Sequence, residues 1–403
     1  MANHNSTVPR FHFPDLDVLR GLAAILMITN HLGVKILAQD TAESGITGLL
    51  LLIGSFAPVL FFFVTGVGYG LQSSKSSIKP YRWVSILSKV GILLVADLLM
   101  QWSQGRLLGL DFLGFIGLSI LLLEVLRNSR RALLYCLVGS LFFSLCRYGI
   151  GPLVKSLGYA NQLFFLDWIF GTQGLPGVSY PLTPWIVYPL VGYIVGVAVT
   201  RYGSLIEAQR IALSLKILAV GLLPALASLF LVSRGAPFFR WGTVSLAFYI
   251  ASFMVIAVGM AAVLCICSVS NWRFIQQGLA LRGIPSLAIV PIHYFLIEVL
   301  INFGFINVNP WMFGVTLIGV TGITFLLARY VETLSRQMAQ IEQQRLLWVG
   351  LIMMVGILAC LTLISSQPAP FLSMAARTIG QLLLCGLLSL SISQRVASPK
   401  FST

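Results

Sequence analysis

The sequence predicts an all-α, polytopic integral membrane bundle of about twelve spanning helices, with both termini cytoplasmic. Three observations carry this. Of the 403 residues, 58% are hydrophobic and only 9% are charged, whereas soluble domains carry about a quarter charged residues. The mean hydropathy is +0.92. Apolar runs of spanning length alternate with short basic or Gly/Pro-rich breaks. The net charge of +14 would suit a nucleic-acid partner if it were gathered on one face. It falls instead in short clusters between apolar runs, as membrane topology requires, so no nucleic-acid partner is expected.

About 20 apolar residues cross a hydrocarbon core, and this measure places twelve spans. They are Leu16–Lys35, Gly48–Leu71, Trp83–Trp102, Phe112–Leu126, Ala132–Cys146, Pro184–Thr200, Ile211–Val232, Val244–Cys267, Ile284–Phe303, Trp311–Tyr330, Leu346–Ile364 and Met374–Ile392. The fourth and fifth are short and either tilt or re-enter. Residues 1–15 form a polar tail, 16–336 a core of about ten helices, and 337–403 two further helices with a C-terminal tail. With the N-terminus inside, nineteen of the 26 Lys and Arg residues fall on the inner face and seven on the outer, which sets the orientation. The first apolar run follows Asp15, Asp17 and Arg20 and lacks a small-x-small cleavage site, so it is expected to be retained. The long outer connection from Arg147 to Thr183 is rich in Gly, Pro and aromatic residues. It reads equally as a cap over a site and as an interfacial anchor.

The chemistry concentrates in DLDVLRGLAAILMITNH, residues 15–31. Ionisable groups inside an apolar helix are expensive, so Asp17, Arg20 and His31 are read as functional by default. Eleven residues at ~100° per residue bring Arg20 and His31 onto one face, roughly 16 Å apart along the axis. Ala24 and Met27 lie between them and leave room for a long ligand against the helix. His293, two residues after Pro291, is placed near the middle of the ninth span, where the proline marks a kink or a cavity; its bland reading is an interhelical hydrogen bond. Glu298 and Asp97 read as partners of arginines or tyrosines, and Asp111 and Asp167 as solvated carboxylates. The six cysteines lie in or beside apolar runs and read as small core residues. No metal cluster, P-loop or Gly-x-Ser-x-Gly elbow occurs in the sequence, so no metal is expected.

DLDVLRGLAAILMITNHLG resembles the opening signature of the transmembrane acyltransferase superfamily, which includes the acyltransferase 3 and heparan-alpha-glucosaminide N-acetyltransferase-like families. FAPVLFFFVTGVGYGL, LDFLGFIGLSILLLE, YPLTPWIVYPLVGYIVG, SLAIVPIHYFLI and LLARYVETLSR follow in the expected order, covering most of residues 13–336. One departure is visible. The heparan-type branch often carries a histidine before the Ala-Pro element, and Ala42 to Phe56 contains none.

The resemblance implies transfer of an acyl group, usually acetyl from cytoplasmic acetyl-CoA, to a carbohydrate hydroxyl or amine across the membrane. His31 would then act as general base or transient acyl carrier, Arg20 would steer the donor with Asp17 as its buttress, and His293 would stand second. Lys79, Arg82, Arg127, Arg130 and Arg273, with Arg20, are candidate holders of the CoA phosphates, although inner clusters also follow from topology alone. The expected partners are an acyl-CoA donor, a carbohydrate acceptor and the bilayer of a bacterial inner membrane, with a homodimer as the alternative to a monomer. A transporter or flippase for a sugar or lipid-linked glycan is the rival reading; its inverted repeats are not evident. A silent homologue that only binds acyl-CoA is the third.

Overall fold

The computed structural model describes residues 13–73, 81–102, 109–157, 164–170, 178–238, 244–269, 272–282, 284–338, 343–366 and 370–393. Among them the chain is helical, with two isolated β-bridges, Leu37 with Val308 and Leu110 with Val178. The helices are α1 (Pro14–Ile36), α2 (Gln39–Glu43), α3 (Gly45–Gly54), α4 (Ala57–Gly70), α5 (Tyr81–Trp102), α6 (Phe112–Arg127), α7 (Ala132–Leu145), α8 (Gly151–Ser156) and α9 (Phe164–Phe170). They continue as α10 (Leu182–Trp185), α11 (Val187–Ala208), α12 (Arg210–Ser233), α13 (Leu246–Ser268), α14 (Arg273–Leu279), α15 (Ile289–Asn302), α16 (Pro310–Met338), α17 (Gln343–Ser365) and α18 (Pro370–Ser393).

Every one of the twelve expected spans falls on helix, but by length and composition eight described segments are able to cross a membrane. The others differ for identifiable reasons. α5 carries Arg82, Lys89 and Asp97, α6 has 16 residues, and the apolar helices Ser286–Asn302 and Leu372–Leu388 are short. Nothing is described of residues 1–12, so the expected polar tail lies outside the described residues apart from its last few positions.

α1 begins with Pro14 at its first position and Asp15 and Asp17 in the first turn, and ends with Lys35, an order that suits both the free N–H groups and the helix dipole. It runs through the middle of the bundle, against α3, α4, α13, α14, α15 and α16. Val18, Leu19, Ala23, Ala24, Ile28 and Leu32 are fully buried along it. By contrast Leu222, Leu223, Leu226 and Leu229 of α12 are exposed, the lipid-facing pattern of an outer helix.

α4 and α11 pack backbone against backbone. Gly66 and Gly70 on one helix meet Gly192 and Gly196 on the other, and a methyl on Gly66 would overlap the Pro189 carbonyl oxygen, one on Gly192 that of Phe63. Paired small-xxx-small stripes allow this approach, and dispersion between backbones then replaces the hydrophobic force that lipid does not supply. α4 thereby presents its other side to the α1 face that carries the ionisable groups.

An ion pair fixes the charged end of α1. Arg210 at the start of α12 donates from Nη1 and Nη2 to the two Asp15 carboxylate oxygens at 2.5 and 3.2 Å, and also to Glu207. The Asp15 and Arg210 side chains are 3% and 10% exposed. Breaking a buried pair by removing one partner strands the other charge. Asp15→Ala is expected to lower stability by about 3 kcal/mol, read as a fall in the melting temperature of the detergent-solubilised protein. Asp15→Leu with Arg210→Leu should recover most of it. Equal melting of Asp15→Ala and wild type would mean that the pair carries no weight.

Candidate active site

His31 lies five residues before the end of α1 and is half-buried. α15 brings His293 and Tyr294 against it. His31 Nδ1 is 2.8 Å from His293 Nε2, and His31 Nε2 is 3.4 Å from the Tyr294 hydroxyl. The three rings stack, His31 with His293 at a centroid separation of 5.1 Å and with Tyr294 at 4.8 Å.

The contact between His293 Nδ1 and the Ile289 carbonyl oxygen, 2.6 Å, decides the proton positions. A carbonyl only accepts, so Nδ1 of His293 carries the hydrogen. For neutral rings His293 Nε2 is then an acceptor, and His31 Nδ1 must donate to it. His31 is left with a lone pair on Nε2. A relay that fixes the tautomer of a reactive imidazole is how a histidine is prepared to take a proton at one chosen atom.

His31 and Tyr294 line a cavity of about 400 Å³, within the size range of small-molecule sites. Asn30 and Met27 of α1, Ala57 and Pro58 of α4, Asp97 and Met100 of α5, Asp111 and Phe112 at the start of α6, and Ser179 and Tyr180 also line it. Asp97 accepts the Asp111 backbone N–H at 2.9 Å, and Gly114 leaves the room its carboxylate occupies; Asp97 thus braces the start of α6. The chain at Ser179 and Tyr180 is tied to the Leu110 carbonyl by backbone hydrogen bonds of 3.0 and 3.3 Å. Burial, reinforced by Asp111, Tyr294 and Asp97, pushes the Tyr180 phenol well above its usual range. It therefore stays protonated and remains a hydrogen-bond donor.

Arg20 sits at the other end of the α1 stripe. It forms an ion pair with Asp17, contacts the Leu281 carbonyl at 3.5 Å, and lines a smaller cleft of about 100 Å³ with Tyr69, Gln72 and Ser286. Two expectations are corrected by this geometry. Pro291 does not kink a span in its middle: it lies in the first turn of α15, where a missing N–H costs nothing, and His293 is near the start of that helix. The space along α1 is also not continuous. Ala24 is buried and lines neither cleft, Met27 lines only the His31 cavity, and the two clefts share no lining residue. Between them stand Phe61, which lines the Arg20 cleft, and Phe112, which lines the His31 cavity, edge to face at 5.3 Å.

The structure thus brings His31 to His293 and Arg20 to Asp17; of the expected basic cluster, the three residues whose side chains are described do not join Arg20. Arg130 and Arg273 are exposed, Arg127 ends α6, and none of the three lines the Arg20 cleft. Lys79 lies outside the described residues, and Arg82 is described only as a backbone position at the start of α5. Sequence reasoning undervalued Asp111, Tyr180 and Tyr294. Their signal was weak, since a carboxylate before a helix and tyrosines in apolar stretches are common, although Tyr294 directly follows the histidine already singled out.

The model of the family described as heparan-alpha-glucosaminide N-acetyltransferase, catalytic, matches residues 12–221, just over half of the chain. The chain belongs to that family. Membership in the heparan-alpha-glucosaminide N-acetyltransferase catalytic family implies acetyltransferase activity, and the apolar helices make it an integral membrane protein. No curated protein and no solved structure matches. The matched range contains Arg20, His31, Asp97, Asp111 and Tyr180, whereas His293 and Tyr294 come from beyond it. The half of the dyad that fixes the tautomer is therefore supplied by the part of the chain that the family match does not cover.

Proposed function

We propose that the protein transfers an acetyl group from cytoplasmic acetyl-CoA to a carbohydrate hydroxyl or amine on the far side of the membrane, with His31 as general base. The observation that carries this is the tautomer of His31, fixed by His293 so that the Nε2 lone pair meets the hydroxyl of Tyr294, a residue that lines the same cavity as His31. The acceptor O–H or N–H replaces the long Tyr294 contact and gives its proton to Nε2. Its oxygen or nitrogen forms a bond to the thioester carbonyl carbon, the carbon–sulfur bond breaks, and the imidazolium returns the proton to the departing thiolate. The protonated Tyr180 phenol is placed to donate to the carbonyl oxygen as charge develops on it. Arg20 meets donor phosphates at the cytoplasmic end. The Phe61–Phe112 pair must part for the thioester arm to reach His31. A bacterial inner membrane suits this division of sides.

Purified protein in detergent, given radiolabelled acetyl-CoA and glucosamine, is expected to release free CoA and acetylated sugar. Sugar uptake by proteoliposomes with no consumption of acetyl-CoA would overturn the reading in favour of a transporter. Arg20→Ala is expected to raise KM for acetyl-CoA about tenfold or more, the size of one lost charged contact, with a smaller change in kcat. An unchanged KM in a folded variant would remove Arg20 from donor binding.

A further inference from the structure

A second cavity of about 450 Å³ adjoins the first, between α15, α17 and α18. Met100 and Tyr294 line both, so the phenol that touches His31 is also the partition between them. The polar lining of the second cavity is Lys35, Glu298, Arg377 and Gln381, and its apolar wall includes the buried Ile357, Leu361 and Leu384.

Each polar group has a distinct state. Arg377 meets Glu298 at 3.3 Å, with both side chains substantially exposed at 46% and 32%, an arrangement that holds little energy and exchanges partners easily. Lys35 is exposed and has no ion-pair partner among the described residues, so the lining carries a net positive charge. Gln381 Oε1 is buried and has no hydrogen-bond partner. A small turn of the Gln381 amide, which lines the cavity, would let this unpartnered acceptor receive a donor there. Two cations at the exposed side, an acceptor for a hydroxyl and a long aliphatic wall together describe an amphiphile with an anionic head.

We propose that this cavity binds the phosphate-bearing, hydroxylated head group of an anionic lipid. The phosphate lies between Lys35 and Arg377, drawing Arg377 from Glu298. A glycerol or sugar hydroxyl donates to Gln381, and the hydrocarbon lies along Ile357, Leu361 and Leu384. α17 and α18 lie outside the range of the family match, whereas Lys35 and Met100 lie within it, so the site is closed by the chain's C-terminal half against the family core.

The test is lipid retention by the full chain, followed by native mass spectrometry after detergent exchange, with dioleoylphosphatidylglycerol as probe and a neutral galactosyl diacylglycerol as control. Wild type should retain the phospholipid and not the galactolipid. Lys35→Gln, and separately the charge-balanced Arg377→Gln/Glu298→Gln, should lower retention about tenfold while leaving the size-exclusion profile and circular dichroism unchanged. Equal retention of the two lipids, or of phosphatidylglycerol by wild type and both variants, overturns the proposal. Competition with an undecaprenyl-diphosphate-linked sugar separates two sources of the same chemistry. Displacement assigns the site to a lipid-linked glycan, and its failure assigns it to a bilayer lipid; either supports a lipid-phosphate site. No acetyl-CoA is present, so the result stands apart from that of the transfer assay.

Discussion

His31→Ala is expected to lower acetyl transfer by about 10²–10⁴-fold, the usual contribution of a positioned general base, while leaving membrane insertion and the size-exclusion profile intact. The reason is local. Nε2 of His31, a residue that lines the 400 Å³ cavity, is the imidazole atom left without a hydrogen once His293 donates to Ile289. His31 makes its side-chain contacts with His293 and Tyr294, so its removal costs packing at the cavity edge rather than in the core. The loss should fall on kcat, with KM for acetyl-CoA little changed. His293→Phe keeps the ring volume but frees His31 to adopt either tautomer, and a loss of about 10–100-fold is expected from such a supporting group. His293 is a positioning residue in this account, so its variant should shift the pH profile of kcat as well as its height. Full transfer by a folded His31→Ala protein would end the assignment.

Gly192→Val is expected to prevent assembly of the bundle. Its side chain would overlap the Phe63 carbonyl oxygen and press on the Val67 backbone. A backbone atom in a helix cannot rotate away as a side chain can, so α4 and α11 must separate. Overpacking a core costs about 1–3 kcal/mol even where side chains can adjust, and separating these helices also forfeits the dispersion along the whole stripe. The measurable result is loss of the monodisperse peak and of thermal protection in detergent. Gly314→Ala and Gly319→Ala are the controls, because a methyl there meets nothing within 4 Å. If Gly192→Val elutes and melts like wild type, the close approach of α4 and α11 is wrong.

Much of the fold was legible because lipid imposes it. A backbone in hydrocarbon must satisfy its own hydrogen bonds, so apolar runs become helices with little dependence on their neighbours; α1, α12, α13 and α17 fall within a few residues of the expected spans. The exceptions have local causes. The span expected over residues 48–71 is two helices, α3 and α4, broken at Ser55 and Phe56 and restarted by Pro58 near the first position of α4. The proline expected to mark a kink or a cavity in the ninth span is the third residue of α15, and its neighbours Val290 and Tyr294 line the cavity. The candidate site was legible in part: the periodicity of α1 puts Arg20 and His31 on one face, and the structure finds each lining a cleft. The basic clusters were less informative, because a positive bias of the loops on one side of a membrane is expected whether or not its arginines bind anything.

The sequence by itself determined the helices, their approximate limits and the first helix as the bearer of unusual chemistry, since these follow from composition and from the 3.6-residue period of a single element. Only the tertiary structure decided which groups meet. His31 and His293 are 262 positions apart, and no periodicity relates one helix to another; their contact follows from how α15 packs against α1. The same holds for Asp111, Tyr180 and the Phe61–Phe112 partition. A proton acquires a fixed atom here only through a hydrogen-bond chain that crosses two helices and ends on a backbone carbonyl, and such a chain exists only once the helices have packed.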